Sequence, residues 1–444
     1  MEVDLPVKPS RLEPFLRPVH AFLASETAGG LVLMACAALA LVWANVWPHA
    51  YDHLWHAKAS ASIGPWGLTM SVAHWINDGL MVVFFLLVGL EIKREVLLGE
   101  LASMQKSALP VAAALGGMLV PAGIYALLNL GGPGAHGWGV PMATDIAFAV
   151  GVLALVGRRV PTSLKIFLLA IAIVDDLGAV IVIALFYTSQ INGTALAVAG
   201  GFLALLILLN VLRVHRATPY LILGVGLWLA TLASGIHATI AGVLLAFTIP
   251  ATRSVEELPF IEFARKALDR FARDATETPD KLTHTQAHAL HSLERAAASV
   301  QPPLARVEHA LLTPVNFVIV PLFALANAGV HLSGDLASTA KSSVTLGVFL
   351  GLLVGKPIGV LAMSWLAIKL GFGKLPADAT WKQMTGIGVL CGIGFTMALF
   401  VGGLAFGEAE GLTQAKIGIV GASVLAGIGG ALLLLGGKPT RAND

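Results

Sequence analysis

Apolar stretches of about twenty residues follow one another along almost the whole of this 444-residue chain, and that is the length a helix needs to cross a bilayer. Twelve spans are expected, at about 22–46, 71–92, 108–129, 137–157, 163–187, 193–212, 219–235, 236–250, 310–328, 343–368, 383–405 and 417–436. The seventh and eighth are short and separated only by "SGIHAT". The expected fold class is an all-α polytopic membrane protein. Composition agrees: 12% of residues are charged, against roughly 25% in a soluble domain. The 48 glycines suit helices that approach closely in lipid. With a net charge of +2, nothing points to nucleic acid as a partner.

Charge placement tests the span count independently. With the N-terminus inside, 24 of the 28 Lys and Arg residues fall in inside segments, Lys58, Lys341 and Lys416 fall outside, and Lys356 stays in the membrane. Basic residues gather on the cytoplasmic side, so both termini are expected there. The start of the chain, "MEVDLPVKPSRLEPFLRPVH", is polar and proline-bearing. The first apolar helix is therefore expected to serve as its own insertion signal. The layout is a cytoplasmic tail 1–21, a membrane portion 22–250, a cytoplasmic linker 251–305, a membrane portion 306–436 and a cytoplasmic tail 437–444. The linker is charged, His-rich and helical in period, with Leu268, Phe271 and Ala275 able to share one apolar face. It reads as a solvated connection with one or two surface helices, or as a regulatory element. Cys36 and Cys391 both lie in apolar segments and imply neither a disulfide framework nor a metal site.

Two spans are damaged as helices. The fourth, "GVPMATDIAFAVGVLALVG", has Pro141, Thr144 and Asp145 near its centre, and the eleventh, "TGIGVLCGIGFTMALFVGG", clusters Gly386, Gly388, Gly392 and Gly394. Each is the middle member of a three-span group, spans 3–5 and 10–12, and by count the groups run in opposite directions. Interrupted helices at matching places in inverted repeats point to a transporter's midplane site, against the plainer reading of flexible packing helices.

The deep ionisable residues are Asp78, Asp145, Asp175, Asp176 and Lys356. A charge at the bilayer centre costs at least roughly 2.5–3.5 kcal/mol. Asp145 or Asp175 could simply pair with Lys356 and hold the bundle together. One lysine cannot serve three deep carboxylates, so the rest must be protonated, hydrated or bound to a cation. Asp175 and Asp176 sit side by side in "AIAIVDDLGAVIVIALF" and point roughly 100° apart on a helix, so they can flank one small cavity. Desolvation and mutual repulsion both favour holding a proton. A hard cation such as Na⁺ prefers oxygen ligands, which two carboxylates, the Thr144 hydroxyl and loosened backbone carbonyls would supply. Proton and sodium would then compete for the same oxygens. Lys356, followed by Pro357 in "GLLVGKPIGV", is a candidate proton carrier: Na⁺ displaces it from Asp175 and the freed amine loses its proton. If one Na⁺ displaces two protons, transport moves net charge and responds to voltage.

Asp78 in "HWINDGLM" is near the outer end of its span, one turn from His74, and reads as a helix-end group or as part of an ion path. Glu91, Arg94 and Glu95 lie at i, i+3 and i+4 in "LEIKREVLLGE", where surface salt bridging is the simple account. His237 in "SGIHATIAG" is a pH-responsive group or a helix-end histidine.

Five motifs, "WINDGLMVVFFLLVGLEIKRE", "PMATDIAFAVG", "AIVDDLGAVIVIA", "VGKPIGV" and "CGIGFTMALF", together resemble the NhaA family of bacterial sodium/proton antiporters. That family is among those from which the inverted-repeat rule was drawn, so the repeat is no independent argument for it. The resemblance implies twelve transmembrane helices in inverted repeats, the fourth and eleventh unwound at the middle and crossing, in the bacterial cytoplasmic (inner) membrane. It implies electrogenic exchange of cytoplasmic Na⁺ or Li⁺ for external H⁺, regulated by pH, in a transporter and not an enzyme, with no cofactor beside the transported ions. Asp175 and Asp176 match the ion-binding, proton-exchanging pair, Asp176 being central to sodium coordination. Asp145 and Lys356 match the charges that offset facing half-helix ends, and Lys356 matches the partner of Asp175. Glu91, Arg94, Glu95, Glu308 and His309 match a cytoplasmic cluster tied to alkaline activation. The 57–70 segment falls where the family has an outward β-hairpin joining two protomers, which implies a homodimer.

The 251–305 connection departs from the family's short form, and after "RVEHA" Leu312 stands where the family can carry a second histidine. Both departures bear on the pH set-point. A sodium-coupled symporter of an organic solute would need more polar side chains in the spans. An intramembrane aspartyl protease would want aspartates on different helices and a Gly-x-Gly-Asp signature, and a passive channel suits paired carboxylates without ring symmetry poorly.

Overall fold

The computed structural model describes residues 27–63, 66–188, 191–253, 256–273, 282–331, 336–407 and 409–436. The expected tails 1–21 and 437–444, the first residues of the span expected at 22–46 and part of the 251–305 connection lie outside them. The chain is mostly helical, as an apolar sequence in lipid must be when each backbone polar group needs a partner inside the chain. Among the described residues ten helices are long and apolar enough to cross a bilayer. They are α1 (Ala28–Val46), α3 (Val72–Leu98), α4 (Met104–Asn129), the broken segment Ala135–Val156 whose second part is α5 (Ile146–Val156), α6 (Thr162–Phe186), α7 (Gly193–Val211), α8 (Ala217–Ser234), α12 (Pro303–Asn327), α13 (Ser343–Lys369) and α16 (Glu410–Leu435). The pair α14 (Trp381–Cys391) and α15 (Phe395–Phe406), bent by 40°, is long and apolar enough only when the two helices are taken together. At the place of the expected eighth span stands a ten-residue apolar helix, α9 (Thr239–Thr248).

Between α1 and α3 come a short helix α2 (Pro48–His56) and two antiparallel strands, β1 (Lys58–Ile63) and β2 (Trp66–Ser71), in the register Lys58↔Ser71 to Ile63↔Trp66. Between α9 and α12 lie α10 (Glu257–Arg273) and α11 (His284–Val300). Pro303 opens α12, where its missing N–H removes no helical bond.

The chain forms two compact units, one of Met1–Ala73, Ser103–Ala179 and Asn316–Asp444, the other of His74–Ala102 and Val180–Val315. In the first, α4 and the C-terminal half of α13 pack backbone to backbone at Gly116 and Gly359, where a Cβ on either residue would overlap the other's carbonyl oxygen. Close approach through glycine is how membrane helices gain packing energy without a hydrophobic force between them. In the second unit α3 packs on α9 through Gly89 and Gly242, and Leu86, Leu90, Tyr220, Leu227 and Ile249 belong to one apolar core.

Candidate ion site

Two breaks in helical segments set the geometry of the first unit. The segment Ala135–Val156 begins as a tight 3₁₀ turn, Ala135–Met142, runs extended through Ala143 and Asp145, and becomes α5 at Ile146. Pro141 and the polar Thr144 and Asp145 account for this change. The other break lies between Cys391 and Phe395, where Gly392 and Gly394 flank Ile393. The breaks bond to each other: Asp145 N donates to Ile393 O at 2.7 Å.

Asp145 is 1% exposed and caps two helices at once. Its Oδ1 accepts from Phe148 N at 2.9 Å, at the start of α5. Its Oδ2 accepts from Thr396 N at 2.9 Å and from Thr396 Oγ1 at 2.5 Å, at the start of α15. A carboxylate between two helix N-termini meets orphan N–H donors and the positive ends of both dipoles. The N-cap of α15 is Gly394, which has no side chain to offer, and Ser423 of α16 supplies an oxygen instead, accepting from Phe395 N at 3.2 Å.

Asp175 and Asp176 lie on α6, each 1% exposed. Lys356 Nζ stands 2.7 Å from Asp175 Oδ2, and both side chains are 0% exposed. The same amine donates to Met142 O, at the last residue of the 3₁₀ turn. Thr144 Oγ1 donates to Asp175 Oδ2 at 2.7 Å, with Cys391 O as a second acceptor at 3.1 Å. Lys356 directly follows a wide π turn, Gly351–Gly355, so the distortion lies on the N-terminal side of the lysine, with Pro357 just inside the next helix. Thr144, Asp145, Asp175, Asp176 and Lys356, expected to act together, are all buried in this one unit.

The other expected residues lie in the second unit. Arg94 Nη1 meets Glu308 Oε1 at 2.5 Å, and Arg94 Nη2 meets Glu95 Oε1 at 3.1 Å. Glu91 is one turn before Arg94 on α3, and His309 follows Glu308 on α12. His237 is apart from this group: its Nε2 lies 2.7 Å from Tyr187 O, on the turn between α8 and α9. Asp78 sits in a π turn, Trp75–Leu80, and its carbonyl accepts from Trp228 Nε1 at 2.7 Å.

The family model described as Na⁺/H⁺ antiporter 1 matches residues 20–434. The chain belongs to this family. Among relatives of the Na⁺/H⁺ antiporter 1 family, a protein of Oleidesulfovibrio alaskensis named Na⁺/H⁺ antiporter NhaA is 49% identical over 434 residues, covering 97% of this chain and 96% of its own. Proteins of the same name from Koribacter versatilis and Rhizobium etli are 47% and 49% identical, covering 95% and 97% of this chain and 92% and 98% of their own.

Four groups of this family member's site were not singled out by the sequence: Thr396, Ser423 and the carbonyls of Met142 and Cys391. Thr396 had a usable signal, a hydroxyl at the start of an apolar run just after a glycine cluster. Ser423 had none, since a serine within a small-residue helix reads as packing. The carbonyls are backbone groups, freed only because the helices stop there.

Proposed function

We propose that this protein is a secondary active transporter that exchanges cytoplasmic Na⁺ or Li⁺ for external H⁺ in the bacterial inner membrane. The observation that carries the reading is the Lys356–Asp175–Thr144 contact, with both side chains of the ion pair fully buried and Asp176 beside it. Support also comes from the family and from relatives named for sodium/proton exchange.

The chemistry runs as follows. In the loaded state Na⁺ takes oxygens from Asp175 and Asp176, with the Thr144 hydroxyl and freed carbonyls beside them. The cation displaces Lys356 from Asp175, and the amine, without its counter-charge, gives up a proton. On the other side protons return, the amine reclaims Asp175 and Na⁺ leaves. With two protons, one on Lys356 and one on the carboxylate pair, the site carries no net charge, and with Na⁺ it carries one negative charge. The unloaded site, with two bare carboxylates, is too costly to move through the protein interior. More than one proton per Na⁺ makes the cycle electrogenic. Asp145 does not bind the cargo in this scheme: its charge offsets the N-termini of α5 and α15.

Twelve crossings, with α9 as a short one and the two broken segments crossing, complete the reading. Both termini and the 251–305 linker are cytoplasmic, and the Glu91, Arg94, Glu95, Glu308 and His309 group, with His237, adjusts the rate with pH. A homodimer forms through β1 and β2. The test is a dye-quench assay in proteoliposomes, with pulses of Na⁺, Li⁺ and K⁺ across a range of pH. Proton movement is expected with Na⁺ and Li⁺, and its absence with both, in sealed and well-buffered vesicles, overturns the proposal.

A further inference from the structure

Helices α10 and α11 form an antiparallel pair. Along α10, Phe260, Ala264, Ala267 and Phe271 recur at helical spacing and face α11: Ala267 is buried and the other three half-buried. On α11, Gln286 and Ala289 are buried, and Gln286 Nε2 donates to Phe271 O at 3.3 Å. A second apolar stripe lies roughly 80° round α10 from the first, at about 100° per residue. It holds Ile261 and Leu268, 44% and 55% exposed. Leu290, 50% exposed, is displaced in the same sense from the covered stripe of α11. Because the helices run antiparallel, equal displacements bring all three side chains to one side of the pair. Among the described residues no other helix packs on either member to a comparable extent.

One end of the pair is joined to membrane helices. α9 stops at Thr248, and only Gln301 and Pro302 separate α11 from α12. Because the pair is antiparallel, the start of α10 and the end of α11 lie at the same end, and that end is tied to the start of α12. The rest of α10's surface carries Arg265, Lys266, Arg270 and Arg273 among Glu262 and Asp269, with two further exposed apolar residues off the stripe, Leu258 at its start and Phe263.

We propose that the α10–α11 pair lies flat on the bilayer surface, with Ile261, Leu268 and Leu290 seated in lipid just beneath the headgroups. Helices with one apolar side and a cation-rich polar side bury the former about 5–10 Å into this boundary. Arg265, beside the stripe, can lay its stem along the apolar side and keep its guanidinium among the headgroups. The occupant is the lipid of the membrane the same chain crosses.

Nitroxide labels test this in the full chain in lipid nanodiscs, at Ile261→Cys, Leu268→Cys, Leu290→Cys and, on the polar side, Lys266→Cys. The unsubstituted protein gives the background from Cys36 and Cys391. Power saturation with oxygen and with a water-soluble nickel chelate separates lipid from water. The oxygen-to-chelate ratio at 261, 268 and 290 is expected to be several-fold above that at 266. Equal ratios at all four would put the stripe in water and overturn the proposal. Shielding of the three from both reagents would mean that protein covers them, and would overturn it as well. The label at 290 reads the second helix independently, so a local disturbance of α10 leaves the test decisive.

Discussion

Two ion pairs join distant parts of this sequence, and their surroundings differ. Lys356 and Asp175 meet at 2.7 Å with neither side chain exposed. Arg94 and Glu308 meet at 2.5 Å, with the arginine 44% and the glutamate 6% exposed. Distance is nearly the same, so burial decides what each can do. Around the first, water cannot compensate a charge whose partner leaves, and a proton or another cation must. Around the second, solvent and salt reach the guanidinium and weaken the attraction. A pair of the first kind suits a step in which one cation replaces another; one of the second suits adjustment.

Substitutions in the two places should therefore fail differently. The largest effect is expected for Asp175→Asn and Asp176→Asn, each abolishing sodium-driven proton movement in inverted vesicles while the protein stays folded. Retained exchange in both would erase the distinction at its root. Lys356→Ala should come next, weakening exchange and lowering thermal stability. Breaking a buried pair costs about 3–5 kcal/mol, and proton uptake by the abandoned carboxylate reduces the loss. Thr396→Val should be milder: the backbone N–H still serves Asp145, and losing one hydroxyl bond to a charged group costs roughly 1.5–3 kcal/mol, read as a drop in melting temperature. Arg94→Ala should keep the maximal rate and move alkaline activation to higher pH, because the guanidinium favours the ionised carboxylates around it. An unchanged pH profile would take that group out of regulation. Trimming 257–298 should matter least, leaving exchange intact with at most a shifted pH profile. Complete loss of turnover in well-inserted protein would show the connection to be part of the machinery.

Much of this arrangement was legible in the sequence for physical reasons. Asp175 and Asp176 stand out because carboxylates are expensive in apolar surroundings. The breaks near Thr144 and Gly392 stand out because proline and glycine interrupt helices. The π turns at Trp75–Leu80, Val315–Ile319 and Gly351–Gly355 were not legible, since no residue type marks them and they arise from how neighbouring helices seat together. Ser423 was hidden for a related reason: its partner, Phe395 N, lies on another helix. The strands β1 and β2 were expected only through resemblance, as "ASASIGPWGLTMSV" has too few large apolar residues to announce a hairpin by itself.

At ten residues, α9 is only about 15 Å long, half the roughly 30 Å of hydrocarbon in a bilayer. Its last carbonyls are met by side chains from elsewhere in its unit. Lys93 Nζ donates to Phe247 O at 2.7 Å and Ile249 O at 2.5 Å, and Asn210 Nδ2 donates to Thr248 O at 2.7 Å. A truncated helix thus borrows its ending from two neighbours, which makes its length a property shared by three segments. Any motion that carries α9 away from α3 or α7 must first find new donors for those oxygens.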